Sequence, residues 1–237
     1  MSGRFLVNMV LVKDMVQLDL TGPFEVLARV PGWTVELVGA SLDPVRTDRG
    51  LTILPTVTRE AAQRPDLFVV PGGTGIDDAM VDPAWVQFAR DQADAARHVF
   101  GICTGSLLLA AAGLLTGRRA GAHWQARDLL AHFGAIPSHD RMVVDGKYYT
   151  SGGVTSGIDM ALRVVSDVAG KEIAQKIQLQ IEYDPAPPFP GGTPFTSTPE
   201  IVEAVKQASM QRRAARERRV EQAVAVMRTA KAAQTQK

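Results

Sequence analysis

A single cysteine in 237 residues excludes an internal disulfide. Lysine and arginine together number 26 against 25 acidic residues, and a formal net charge of +1 gives no overall electrostatic pull toward a nucleic acid or a membrane surface. No apolar run reaches the roughly 18 residues that a membrane helix needs. Residues 1–13, MSGRFLVNMVLVK, lack the small-residue cleavage site of a secretory leader. Neither an internal repeat nor a cluster of metal-ligating residue types is present, so no metal and no organic cofactor is expected. What these absences leave is a soluble, cytoplasmic protein whose lone thiol stays reduced, with no nucleic-acid or membrane partner. The length suffices for one domain with a sizeable core.

What the chain does contain is an alternation of short apolar runs and amphipathic stretches, the pattern of a parallel sheet covered by helices. FLVNMVLV (residues 5–12), WTVELVGAS, DLFVVPGG and HVFGIC read as buried strands, the last as the central one. Between the first two, a helix is expected with Thr21 as N-cap and Pro23 in its first turn, which leaves Asp19 in the preceding loop. VRTDRGLTILPTVT reads as a hairpin turned at residues 48–50. RMVVDGKYYTSGG reads as another, with Asp145-Gly146 as a type I′ turn. Helices are expected over residues 83–96, 104–112, 125–133, 156–169 and 172–183, with a short strand RRAGAHW that ends on His123. The fold class is therefore α/β, a flavodoxin-like doubly wound and mostly parallel sheet with helices on both faces, over residues 1–190. Residues 191–237 follow as a Pro/Gly connector and a helical tail, frayed near its end, whose arginines 212, 213, 216, 218 and 219 read as a solvated face.

Sheets of this kind bind ligands beyond the carboxyl ends of their strands. Three features meet there: residues 17–23, the Pro71-Gly72-Gly73 loop, and Cys103. A lone cysteine is commonly an inert core residue. Gly-Ile-Cys-Thr-Gly at a strand-to-helix junction argues otherwise, because it has the form of a nucleophile elbow. The helix that follows aims its first N–H groups at the thiol, which predicts a lowered thiol pKa. Gly72 and Gly73 are expected to add backbone donors for an anionic intermediate. Of the four histidines, His98 lies at the far end of its strand, His132 on an amphipathic helix and His139 in a loop, so only His123 is placed to reach the elbow. Asp19 is the acidic candidate, though an aspartate at that place also serves as an ordinary helix cap. No late His-x-Glu pair offers a glutaminase-type triad.

The combination of LDLTGPFEVL, FVVPGG, VFGICTGSLLLAAAGLLTGRRAGAHW and YYTSGGVTSGIDMAL resembles the ThiJ/PfpI branch of the class I glutamine amidotransferase-like superfamily, over residues 4 to about 185. Within the branch it is similar to the amidotransferase-like domains of AraC-type regulators and to the isonitrile hydratase group. The regulators carry about a hundred further residues with two helix-turn-helix units, against some forty here after Pro199. The protease and deglycase branches usually place a glutamate after strand one and a histidine after the cysteine. Asp19 and Thr104 depart from both, in the direction of the hydratase group. The resemblance implies Cys103 as nucleophile, Asp19 as acid/base and Thr104 as a supporting hydrogen-bonding residue. The expected chemistry is cofactor-free hydration of a small isonitrile to an N-substituted formamide through a thioimidate. Gly72, Gly73, His123 and the loop with Gly153 and Val154 are expected to line the pocket. Two other readings stand beside it: a glyoxalase- or deglycase-like enzyme on 2-oxoaldehydes, and a cysteine-based redox or ligand sensor. A homodimer is usual for the superfamily, and the tail helix is expected to wrap a partner subunit.

Overall fold

The computed structural model describes residues 4–235, and side chains up to residue 229. In chain order the elements are β1 (Phe5–Val10), α1 (Gln17–Leu27), β2 (Trp33–Gly39), β3 (Val45–Arg46), β4 (Thr52–Ile53), β5 (Val57–Thr58), β6 (Leu67–Val70), α2 (Gly75–Ala79) and α3 (Pro83–Ala95). There follow β7 (His98–Ile102), α4 (Gly105–Ala111), β8 (Arg119–Ala120), a 3-10 helix (Arg127–Phe133) and β9 (Ile136–Pro137). The chain ends with β10 (Met142–Asp145), β11 (Tyr148–Ser151), α5 (Ser156–Val168), α6 (Lys171–Gln180) and α7 (Pro199–Thr235). Seven strands form one sheet in the order β10-β11-β7-β6-β1-β2-β5. Only the β10–β11 pair in it is antiparallel. Helices α1, α5 and α6 pack together as one group, and α2, α3, α4, the 3-10 helix and α7 as another. The doubly wound α/β expectation is met.

The inner strands show why the pattern was readable. All of Leu67-Phe68-Val69-Val70 in β6 is buried, as a strand covered on both faces requires. With Met9, Phe100 and Ile102 it forms the centre of the core. Strand order reverses at β1, which lies between β6 and β2, so a crevice opens beyond the carboxyl ends of β1, β6 and β7. Each of the three features named above follows one of these strands. Gly105 lets α4 begin directly behind β6, since a Cβ there would stand 2.0 Å from the Val70 carbonyl oxygen.

The structure corrects three local expectations. Helix α1 starts at Gln17 rather than after Thr21, whose hydroxyl instead donates to Oε1 of Gln17, and Pro23 lies inside the helix. The cause is a tertiary anchor: the Val16 amide donates to the Gly72 carbonyl and fixes the entry to the helix. Asp19 thus sits on the first helical turn, not in a loop. Strand β8 ends at Ala120, so His123 lies in the loop beyond it. The β10–β11 turn centres on Gly146-Lys147, with positive φ only at Gly146, which is the II′ pattern rather than I′. Helix α7 packs on its own chain, against α2, α4 and the 3-10 helix, and buries Val220, Ala223 and Val224 there. Residues 236 and 237, where the tail was expected to fray, lie outside the described residues.

Candidate active site

Cys103 adopts φ +55°, one of three non-glycine residues with positive φ among those described. A cysteine is strained there, and the surroundings must hold it. They do so through both of its backbone polar groups. Its N–H donates to the Ser151 carbonyl (3.2 Å), and its carbonyl accepts from the His123 N–H (3.3 Å). The turn brings the Thr104 amide N–H onto the sulfur. The thiol itself is buried, at 4% exposure for the residue.

Asp19 is fully buried beside it. Its Oδ2 accepts from the Gly72 N–H (3.0 Å), while its carboxyl also faces the Cys103 thiol. Its Oδ1 is sealed from solvent and has no protein partner among the described residues. Gly72 is wedged into this junction. A Cβ there would stand 2.6 Å from Asp19 Oδ2 and 2.8 Å from Cys103 Cβ, so no other residue fits. The Thr104 hydroxyl turns away from the thiol. It accepts from the Gly73 N–H (2.8 Å) and donates to the Gly73 carbonyl (3.0 Å). The elbow, the Pro-Gly-Gly loop and the start of α1 are therefore one hydrogen-bonded unit.

Two expectations fail on this geometry. The amides of Gly72 and Gly73 are not free for an anionic intermediate, because they hold Asp19 and Thr104. Their role is to position the acid and the elbow. Nor is the thiol acidic. Burial and the Asp19 carboxylate push its pKa well above the ordinary value, against opposing contributions from the Thr104 amide and Arg216. Burial also raises Asp19 to about 7, although its hydrogen bonds to Cys103 and Gly72 work the other way. Above the Asp19 titration near 7 the two groups hold one proton between them, which the sulfur carries at rest.

Cys103 lines a cleft of about 310 Å³, with Asp19 buried behind it. His123 and Val154 line it as expected, together with Gly73 and Thr104, and Gly153 lies behind the His123 ring. Burial first, then Arg216, Arg212 and Arg127, lower the His123 pKa to about 4, so its imidazole is neutral. His123 Nδ1 accepts from the Gln125 N–H (3.2 Å). Of the other histidines, His98 starts β7 at the far end, and His132 and His139 are exposed.

A family model described as DJ-1/PfpI matches residues 6–167. The chain belongs to the DJ-1/PfpI family. It is 48% identical over 204 residues to an isonitrile hydratase of Pseudomonas putida, covering 86% of this chain and 90% of that protein. A solved ThiJ/PfpI family protein from Pseudomonas syringae superposes with a TM-score of 0.89 at 36% identity, over 92% of this chain and 91% of the other. A transcriptional regulator of Pseudomonas aeruginosa, CdhR, is 33% identical over 61% of this chain but only 43% of its own length.

In this DJ-1/PfpI chain the cleft also has a wall that sequence reasoning missed. Asp48 and Arg49, at the tip of the β3–β4 hairpin, form one side. Arg212 and Arg216 of α7 form another, and Trp124 also lines the cleft. The solvated-face reading of the tail arginines is corrected for three of them. Arg213 is paired with Asp128 (2.6 Å), Arg219 with Asp78 (2.7 Å), and the buried Arg216 with Asp77 (2.7 Å). The signal was spacing: Ser209, Arg213, Arg216, Val220, Ala223 and Met227 recur every three or four residues, so two arginines lie on the stripe that faces the domain.

Proposed function

We propose that this protein hydrates isonitriles to N-substituted formamides, with Cys103 as nucleophile and Asp19 as the group that moves protons. The 48% identity with the Pseudomonas putida isonitrile hydratase supports the substrate class. The observation that carries the mechanism is the buried Asp19 carboxyl against the thiol, one oxygen held by Gly72 and the other unpartnered.

The terminal carbon of R–N≡C carries both a lone pair and an electrophilic site. As the sulfur attacks that carbon, Asp19 accepts the thiol proton and passes it to the same carbon, giving the thioimidate R–N=CH–S–Cys103. Asp19, again a carboxylate, then takes a proton from water. Hydroxide adds to the carbon and the proton goes to nitrogen, which gives a tetrahedral adduct. Collapse breaks the C–S bond, forms the formyl C=O and returns the hydroxyl proton to sulfur. One isonitrile and one water yield one formamide, with no cofactor in any step. The Thr104 amide N–H faces the sulfur whenever it is charged. The Thr104 side chain acts as a positioning group through Gly73. The same reading carries a homodimer and a cytoplasmic location.

The test is to incubate the purified protein with cyclohexyl isonitrile and assay the N-cyclohexylformamide formed, with methylglyoxal and lactate detection as the parallel reaction. Formamide is the expected product. An isonitrile left intact beside rapid lactate production would replace this reading with the glyoxalase one. The pH profile gives a second expectation. The reacting pair must carry one proton, so kcat/KM rises with pH through the Asp19 titration near 7 and levels off above it. His123, lowered to about 4, cannot account for a limb at neutrality. A flat profile between about pH 5 and 8 would remove Asp19 from the proton path.

A further inference from the structure

The chemistry above uses the floor of the cleft and leaves its wall unexplained. Arg216 is only 6% exposed, yet it borders the cleft together with Cys103 and His123. Its Nε donates to Oδ1 of Asp77 on α2 (2.7 Å), its one side-chain bond among the described residues. Its two terminal nitrogens have no protein partner among the described residues, and they are not among the polar atoms sealed from solvent. The accessible part of a side chain this deeply buried is the part that opens into the cleft. A guanidinium pinned through Nε keeps its two terminal nitrogens in a fixed fork, a geometry that matches a carboxylate.

The surrounding charges agree. Arg212 lines the same wall one turn earlier and has no carboxylate within ion-pair distance among the described residues. Arg49, on the β3–β4 hairpin, is already engaged by Asp48 (3.5 Å), the one carboxylate lining the cleft. His123 is neutral, so it neither repels nor attracts an anion. Stability does not explain why an arginine sits here, since a well-packed apolar pair commonly serves a buried position at least as well as an ion pair.

We propose that the cleft selects isonitriles that carry a carboxylate, gripped by the terminal nitrogens of Arg216 with Arg212 at the rim. This rests on the hydratase reading. The carboxylate anchors the far end of the substrate on the α7 wall while its isonitrile carbon meets Cys103 on the floor. The uncompensated positive charge of Arg212 draws the anion in and weakens with salt.

The experiment compares isocyanoacetate with its methyl ester, which replaces the charge by a methyl group at one end. Formation of N-formylglycine and of its ester is followed, and kcat/KM is obtained for each in wild type, Arg216→Gln, Arg216→Lys and Arg212→Gln. Wild type is expected to favour the acid by at least tenfold, through KM. In Arg216→Gln the acid-to-ester ratio falls roughly 30-fold, the scale of a lost hydrogen-bonded charge. Arg216→Lys restores only part of the ratio, because charge returns without the fork. A merely structural arginine would lower both substrates together and leave the ratio unmoved, and that result overturns the proposal. Should Arg216→Gln fail to fold, Arg212→Gln is read instead, with a several-fold fall in the ratio expected and an unchanged ratio counting against the proposal. Equal use of acid and ester by wild type also overturns it, and leaves the hydratase reading standing. Failure to hydrate both compounds overturns the proposal, and cyclohexyl isonitrile assayed beside them reads the hydratase activity separately.

Discussion

Cys103→Ala is expected to lose isonitrile turnover by roughly 10⁴-fold or more, the range in which removal of a catalytic nucleophile falls. The chain has no second thiol to take over. Alanine keeps the Cβ that the elbow already accommodates, and at φ +55° it bears much the same backbone strain as cysteine. The fold should therefore persist, with a destabilisation of about 1 kcal/mol for the missing sulfur. Formamide release, measured beside wild type, is the readout, and a melting curve establishes that the variant is folded. Acid-quenched wild type should also show intact mass increased by one isonitrile, and the variant none. Formamide production within tenfold of wild type would mean that sulfur is not the nucleophile.

Asp19→Asn is the second large effect, and it has two faces. Asparagine can keep the Gly72 N–H bond through its carbonyl oxygen, but it cannot shuttle a proton, so turnover should fall by about 10²–10⁴-fold. Stability should move in the opposite sense. The folded state holds the Asp19 proton up to about 7, whereas an unfolded chain loses it near 3.8. Between those values the folded protein binds more protons, so the contribution of this group is complete below about pH 4 and is lost as pH rises toward 7. The full swing is on the order of 4 kcal/mol. Asparagine has no such dependence. The melting temperature of Asp19→Asn relative to wild type should therefore climb between about pH 4 and 8. A constant offset across that range would mean that the wild-type carboxyl is ionised throughout. Activity and stability trade against each other at this residue because the dry environment that raises its pKa also makes its charge expensive.

The sequence made the elbow legible because it is a local object. Gly101, Cys103 and Gly105 fall within five residues, between an apolar strand and an apolar helix. The acid was half legible. Asp19 could be named from its place after the first strand, but its position on the first turn of α1 depends on the Val16 bond to Gly72, across more than fifty residues of chain. The roles of Gly72 and Gly73 were misread for the same reason. Glycine at a strand end shows that something approaches closely. Only the folded chain shows that Asp19 and Thr104 are what approaches. The α7 arginines were readable as a helix face but not as part of a cleft, because Arg216 and Asp77 stand 139 residues apart.

By itself, the sequence determined the alternation of buried strands and helices, the strained turn that presents Cys103, and the family pattern that joins it to Asp19 and Thr104. These follow from neighbours in the chain: hydrophobic period, turn chemistry and short motifs. The tertiary structure alone decided which way the thiol titrates, where the glycine amides point and which charges face the cleft. Desolvation and Coulomb interaction sum over everything that surrounds a group in space. Here those surroundings come from β1, β6, β7 and a helix near the end of the chain, which no local reading brings together.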